Sequence, residues 1–482
     1  MKARYRNDIA GFVQDCFDWR PDQGPTAYQI EILAAITSQK RVAVRGPHGL
    51  GKTTIAAWVV LWFALTRDGE DWKAATTASA WRQLTKFLWP EIHKWARRLR
   101  WERVGRPPFT RDELLRESLK LSTGEAFATA SDNAALIEGA HADNLLYIFD
   151  EAKAVPGGTF DAAEGAFSGG GAQEQQEAYA LAISTPGEPQ GRFYEIHKRK
   201  PGLEDWWTRH VTLAETVEAR RVSAEWAGQR KRQWGENSAV YKNRVEGEFA
   251  ASDEDGIIPL AWVELANERW QEWHDAGCPG AFGESSTAAL RSLGVDVGRG
   301  GDKSTMARLL RWTLDGQRER NVIAGLERDG KPDTMPLAGR IVGILRANGG
   351  TAAVDVIGIG AGVTDRVREQ GLAVTAFNAS ARSDALDRAG ELGFVNMRSQ
   401  GWWQLRELLD PSNGEWTALP PDDLLTGDLT APHYRIVSGG KIQVESKDDI
   451  RRRLGRSTND GDAVMMAFQA FDDAPLFLWS DV

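Results

Sequence analysis

Residues Arg45 to Thr54 read RGPHGLGKTT, and Gly46-Pro47-His48-Gly49-Leu50-Gly51-Lys52-Thr53 within them fits G-x-x-x-x-G-K-[ST]. No other stretch constrains the fold as tightly. Glycines let the backbone curl until successive N–H groups face one anion. The lysine brings charge to the outer phosphates, and the hydroxyl that follows can ligate Mg²⁺. Such a loop needs a buried strand before it and a helix after it, with the helix N-terminus facing the phosphates. The flanks comply: Arg41-Val42-Ala43-Val44 is strand-like, and Thr54 to Leu65 is almost wholly apolar. The loop therefore predicts an α/β sheet that binds a nucleoside triphosphate. Gly46, Gly49, Gly51, Lys52, Thr53 and Thr54 are the residues expected at the ligand.

A chain of 482 residues is too long for one ordinary domain. Its 42% hydrophobic and 26% charged content describes a globular protein. The net charge of −9 gives no bulk attraction for nucleic acid, although local patches, not totals, bind phosphates. Two cysteines, Cys16 and Cys278, exclude a disulfide framework or a thiolate metal centre. The longest apolar run, Ile55 to Leu65, is too short to span a bilayer, and the charged N-terminus lacks a signal-peptide core.

The first half alternates strand-like and helix-like segments, the pattern of a parallel sheet. Leu145 to Phe149 is a continuous apolar strand ending in Asp150 and Glu151. A buried parallel strand delivers its C-terminal residues to the crevice where nucleotide binds. Asp150 is then expected to hold Mg²⁺ and Glu151 to polarise the attacking water. The next apolar strand ends in Ser184 and Thr185, two hydroxyls placed to sense the γ-phosphate. Gln29, upstream of the loop, is expected at the adenine edge.

Composition shifts after Leu213 to a segment rich in Arg, Glu, Gln and Trp, followed by a polar, acidic stretch near Ala250. These shifts set expected boundaries: an ATPase domain over 1–212, a helical lid and linker over 213–288, and a second domain over 289–482. The second domain restarts with three sequential strands, then helix, strand, helix and strand, the order of a ribonuclease H-like (RuvC-like) fold. Asp296 and Asp355 each sit in an otherwise apolar strand, where an unpaired acid is costly to bury. Asp460 and Asp462 open the last helix. Acids on three elements are what two divalent metals need to activate water and steady a leaving oxygen. Asp302 is a candidate outer ligand, and Asp460 and Asp462 stand as equal alternatives for the third carboxylate.

A phosphate-loop ATPase followed by a ribonuclease H-like nuclease resembles the large terminase subunit of tailed bacteriophages. The resemblance is carried by the loop, by IEGAHADNLLYIFDEAKAVP around Asp150, by Ser184-Thr185-Pro186, by YKNRVEGEF, and by Asp296, Asp355 and Asp460 or Asp462. It implies ATP-driven translocation of double-stranded DNA into a prohead, and two-metal endonucleolytic cutting of concatemeric DNA. It implies ATP and Mg²⁺ as cofactors, with Mn²⁺ as an alternative at the nuclease site. Implied partners are the portal protein, the small terminase subunit and further copies of the chain. The family forms a ring, pentameric on the prohead, with a monomer in solution as the alternative. The implied location is the cytoplasm of the infected bacterial host. Two departures stand out: His48 lies where relatives often carry Arg, and Glu138-Gly139-Ala140-His141 lies where some place an arginine finger. The finger is therefore unassigned among Arg45, Arg192 and Arg244. The rival reading is a DNA helicase or translocase whose second domain binds nucleic acid without cutting it.

Overall fold

The computed structural model describes residues 1–20, 23–131, 137, 141–167, 177–251, 255–278, 288–298, 303–313, 319–330 and 333–470. The chain divides into two compact units. One comprises Met1–Arg230 and Tyr241–Ala251, the other Lys231–Val240 and Ser252–Val482. Asp302 and the Glu138-Gly139-Ala140 stretch lie outside the described residues. No helix among the described residues is long and apolar enough to cross a membrane.

The first unit is built on a seven-stranded sheet. Its strands are β1 (Arg41–Arg45), β2 (Trp72–Ala78), β3 (Ser118–Lys120), β4 (Gly124–Ala130), β5 (Asn144–Asp150), β6 (Glu177–Ser184) and β7 (Trp207–His210). The order is β3-β4-β2-β5-β6-β1-β7, parallel throughout except for the β3–β4 hairpin at one edge. The loop strand β1 thus lies beside β6, with β5 next along. The helix after the loop, Lys52–Arg67, is apolar all round and its side chains are buried almost without exception. Trp58, Trp62 and Phe63 fill the core at 0% exposure. The helix ends on a buried charge, Arg67, which pairs with Glu177 at 3.0 Å and lies over the Trp62 ring. A helical stretch runs from Trp81 to Ala96, with a π-helical turn at Leu84–Leu88 just before Pro90. A proline has no N–H to continue an α-helical ladder, and the wider turn accommodates it.

The second unit has a six-stranded sheet of β8 (Ala288–Asp296), β9 (Ser304–Thr313), β10 (Glu319–Asp329), β11 (Thr351–Asp355), β12 (Val374–Phe377) and β14 (Thr417–Ala418). The order β12-β11-β8-β9-β10-β14 has an antiparallel β8-β9-β10 meander with β11 and β12 added parallel to β8. This is the ribonuclease H-like arrangement that the element order predicts. A small sheet joins β13 (Gly393–Phe394) to the hairpin β15 (Tyr434–Val437) and β16 (Lys441–Val444). The last helix, Asn459–Ala467, lies directly on β8 at Gly294. A Cβ there would stand 1.9 Å from the Ala463 carbonyl oxygen and 2.2 Å from the Ala467 nitrogen. Only glycine permits that approach, and it fixes where the acids of that helix fall.

The helix Leu260–Asp275 packs inside this second unit. It buries Leu260, Val263, Ala266 and Trp273, and Trp270 Nε1 donates to the Ile323 carbonyl at 3.0 Å. A fragment starting at residue 278 lacks this helix. Burial of each large apolar side chain contributes about 1.5–3 kcal/mol, against a total domain stability of about 5–15 kcal/mol. A fragment over 252–482 is therefore expected to melt cooperatively, and one over 278–482 to aggregate or melt without a sharp transition. Thermal denaturation followed by circular dichroism checks this; equal melting temperatures would contradict it.

Candidate functional site

The loop is braced from three directions. Gly49 and Gly51 have φ of 86° and 90°, the left-handed region that favours glycine. A Cβ on Gly51 would also lie 2.7 Å from Gln29 Nε2. Tyr28 Oη donates to the Leu50 carbonyl at 2.9 Å, and Gln29 Nε2 reaches the same oxygen at 3.4 Å. On another side, the His48 N–H donates to the Arg244 carbonyl at 2.9 Å. Arg45 Nη1 donates to the Gly247 carbonyl at 2.5 Å, and the Gly247 backbone packs against Gly46. The YKNRVEGEF motif is therefore a strap on the loop. Asn243 Nδ2 ties the strap to the Gly187 carbonyl, just past the Ser184-Thr185-Pro186 turn.

Lys52 is 9% exposed at the start of its helix. Burial lowers its pKa, while Glu151 and Asp150 act to raise it. Asp150 ends β5 at 2% exposure. Burial, then the neighbouring Glu151, pushes it up to about 7, with Lys52 opposing. Glu151 adopts φ 47°, ψ 49°, an uncommon left-handed conformation for a side-chain-bearing residue. It turns the carboxylate toward the end of β6, where Ser184 Oγ lies 3.0 Å and Thr185 Oγ1 3.4 Å from Glu151 Oε2. The two hydroxyls expected to sense phosphate thus hold the acid expected to orient water.

Two of the expected ligand residues have partners within the protein. The Gln29 amide is committed to the protein: its Oε1 accepts from the Thr26 N–H at 2.9 Å, completing a capping box, and its Nε2 braces the loop. With 1% exposure it supports the loop. The Thr54 hydroxyl donates to Glu91 Oε1 at 2.8 Å on a neighbouring helix, which leaves Thr53 as the loop hydroxyl. Of the arginine-finger candidates, Arg45 pairs with Glu248 at 2.5 Å and Arg192 with Asp161 at 2.7 Å, while the Arg244 backbone supports the loop.

In the second unit the strand ends gather the acids. Val354 on β11 pairs with Val295 on β8, so Asp355 and Asp296 follow side by side. Both line one cavity of about 710 Å³. Asp355 Oδ1 accepts from the Ile357 N–H at 2.9 Å. Asp296, 2% exposed, accepts from Lys447 Nζ at 2.6 Å. Burial pushes Asp296 up to about 6; Lys447 opposes this, and Asp462 and Asp355 add to it.

The two acids of the last helix part company. Asp462 shares Lys447 with Asp296, at 3.2 Å to its Oδ2. It also accepts from Trp402 Nε1 at 2.9 Å, from Thr458 Oγ1 at 3.0 Å and from Arg398 Nη1. Burial disfavours its charge, yet Arg398 and Lys447 outweigh that and hold its pKa below the usual carboxylate range. Asp460 instead accepts from Thr305 Oγ1 at 2.8 Å and from Arg328 Nε at 2.8 Å, on β9 and β10. Geometry thus brings Asp462, and not Asp460, to Asp296.

Buried carboxylate oxygens are hard donors of the kind that Mg²⁺ and Mn²⁺ take, so the donor set fits a divalent cation in kind. Among the described residues no three acidic, histidine or cysteine groups converge closely enough to enclose an ion. Instead the Lys447 ammonium bridges two of the acids. Sequence reading missed Lys447, Arg398 and Asp428. Asp428 Oδ2 accepts from the Asp460 and Gly461 N–H groups at 2.9 and 3.2 Å, capping the helix that carries Asp462. The Thr458 side chain makes no cap bond there.

No protein-family model matches the chain. It is 26% identical over 283 residues to the "Probable terminase, large subunit" of Enterobacteria phage P7, covering 56% of this chain. The match spans about half of that curated relative, 54% of its length. The large terminase from a thermophilic bacteriophage aligns in structure over 93% of this chain and 99% of its own, with 13% identity and a TM-score of 0.41. The nuclease domain of the large terminase subunit gp2 of bacterial virus Sf6 aligns over 44% of this chain and 97% of its own, with 20% identity and a TM-score of 0.34. The chain is thus similar in sequence, over about half its length, to a probable large terminase subunit of a phage.

Proposed function

We propose that this chain is the motor and nuclease of viral DNA packaging: it drives double-stranded DNA into a prohead with ATP and cuts the concatemer. One observation carries the reading. Each unit ends a buried strand in a carboxylate beside a lysine, Asp150 (followed by Glu151) with Lys52, and Asp296 with Lys447, which also reaches Asp462 on the last helix. Its partners under this reading are DNA, the portal protein, the small terminase subunit and further copies of the chain in a ring. Its location is the cytoplasm of the infected host.

Bound ATP with Mg²⁺ supplies the phosphoryl group and the charge that neutralises it. The loop N–H groups and Lys52 hold the phosphates, with Thr53 and Asp150 as the candidates to hold Mg²⁺. Glu151 accepts hydrogen bonds from Ser184 and Thr185, which supports its role as the group that orients water. In the nuclease unit Asp296, Asp355 and Asp462 are the candidates to hold Mg²⁺ or Mn²⁺. Divalent ions there supply an activated water and charge at the leaving oxygen. Three acids lining or adjoining one cavity favour cutting over the helicase reading, in which the second domain only binds DNA.

Purified chain, plasmid DNA, Mg²⁺ or Mn²⁺, and ATP test the proposal, with phosphate release and nicking scored on one preparation. Lys52→Ala is expected to abolish ATP hydrolysis and leave metal-dependent nicking intact; near-normal turnover would remove the loop from the mechanism. Glu151→Gln is expected to keep nucleotide affinity and slow turnover by about 10²–10⁴-fold, the range for a positioned base. Weakened affinity with normal saturated turnover would assign Glu151 a structural role.

Asp296→Asn and Asp462→Asn are expected to eliminate nicking while ATP turnover persists. Asp460→Asn is expected to lower the melting temperature by breaking the Arg328 pair, yet to keep nicking. The reverse ranking of Asp460 and Asp462 would reassign the third carboxylate.

A further inference from the structure

The loop that follows β11 is uncharged from Val356 to Thr364, and it carries two isoleucines in the open. Ile357 is 38% and Ile359 45% exposed, although burial is the favourable state of so large an apolar side chain. The backbone pins them beside an acid of the site. The Ile357 N–H donates to Asp355 Oδ1 at 2.9 Å, Gly358 has φ 99°, and a Cβ on Gly360 would stand 1.8 Å from the Asp355 carbonyl oxygen. Ile357 lines the cavity that Asp296 and Asp355 line, and Ile359 stands two residues on.

The same cavity carries cations of two kinds. Arg398 and Lys447 are buried or half-buried and pair with the acids Asp462 and Asp296. Arg435 and Arg451 are exposed, on β15 and on the helix Lys447–Leu454. Arg435 Nε donates to Gln443 Oε1 at 3.0 Å across the hairpin, and His433 faces Asp255 at 3.4 Å. The cavity therefore offers exposed guanidinium groups together with an apolar lip next to Asp355. Duplex DNA matches that combination, with phosphates along each strand and sugar and base edges in the minor groove between them. Apolar side chains that enter the minor groove part a base step, and parting costs least at pyrimidine–purine steps. The tie to Asp355 and the shared cavity favour DNA over a protein partner as what covers the lip.

We propose that Ile357 and Ile359 enter the minor groove beside the cut, with Arg435 and Arg451 on flanking phosphates, so that cutting favours flexible pyrimidine–purine steps. This rests on the nuclease reading above and adds a cut-site preference to it.

The test uses the full chain as wild type, as the double variant Ile357→Ser with Ile359→Ser, and as the double variant Ile357→Leu with Ile359→Leu. Fluorescence anisotropy without metal measures affinity for a TA-repeat duplex and for an A-tract duplex. Sequencing maps nick positions on relaxed plasmid with Mn²⁺. Wild type and the leucine variant are expected to prefer the TA repeat and to nick mainly at TA and CA steps. The serine variant is expected to lose about tenfold in affinity for the TA repeat, the scale for one large apolar side chain left unburied. Its affinity for the A-tract and its melting temperature are expected to stay at wild-type values, and its nicks to follow plasmid composition. A wild-type step preference kept by the serine variant would overturn the proposal and leave the lip to a protein partner. Equal wild-type affinity for the two duplexes would overturn it too. So would a lowered melting temperature in the serine variant, which would make the isoleucines structural. A wild type that prefers the TA repeat but never nicks would instead sink the nuclease reading and leave the lip standing.

Discussion

Burying a carboxylate at the end of a strand is the constraint on which both units depend. Desolvation disfavours its charge, and only a cation or a set of donors restores it. The first unit meets this at Asp150, pushed up to about 7 beside Lys52. The second meets it at Asp296, pushed up to about 6 beside Lys447. In each case the sheet places the acid and a helix supplies the lysine: Lys52 opens Lys52–Arg67, and Lys447 opens Lys447–Leu454. Groups kept so far from their ordinary ionisation are poised for added positive charge, which is what a nucleotide–metal complex or a bare divalent ion delivers.

The supports around these acids follow from the same constraint. Glu151 is held by Ser184 and Thr185, and the strap from Tyr241 to Ala251 ties the loop to the turn after them. In the second unit, Asp428 caps the helix that presents Asp462, and Arg456 pairs with Asp428. Arg456 Nε also donates to the Gln233 carbonyl at 2.8 Å, and Trp234 Nε1 to the Asp423 carbonyl at 2.7 Å. Residues 231–240 therefore belong to the scaffold of the second unit, although they lie in sequence before the strap on the glycine-rich loop of the first.

Both folds were legible because their signals are local. An apolar run flanked by turns reads as a buried strand, and a glycine-rich loop between strand and helix has few other uses. Asp150, Asp296 and Asp355 stood out because acids are rare at the ends of apolar strands. Thr26-Ala27-Tyr28-Gln29 spells a capping box, which gives the Gln29 amide a partner at the helix start. Thr54 adjoins the loop, but one residue of helical rotation turns it to Glu91. Lys447, Arg398 and Asp428 were beyond local reading. They meet Asp462 or its helix from other elements of the fold, and nothing in KDDIRRRL separates Lys447 from an ordinary solvated face. Two-residue strands such as β13 and β14 give no periodic signal in the sequence.

The central proposal is that the second unit holds cation-binding carboxylates of its own, separate from those beside the loop of the first. Calorimetric titration of Mn²⁺ into the full chain without nucleotide tests it most directly, comparing wild type with Asp296→Asn. The account predicts saturable Mn²⁺ binding in wild type, lost in Asp296→Asn, with ATP turnover in the variant unchanged. Mn²⁺ binding that survives Asp296→Asn undiminished would contradict it.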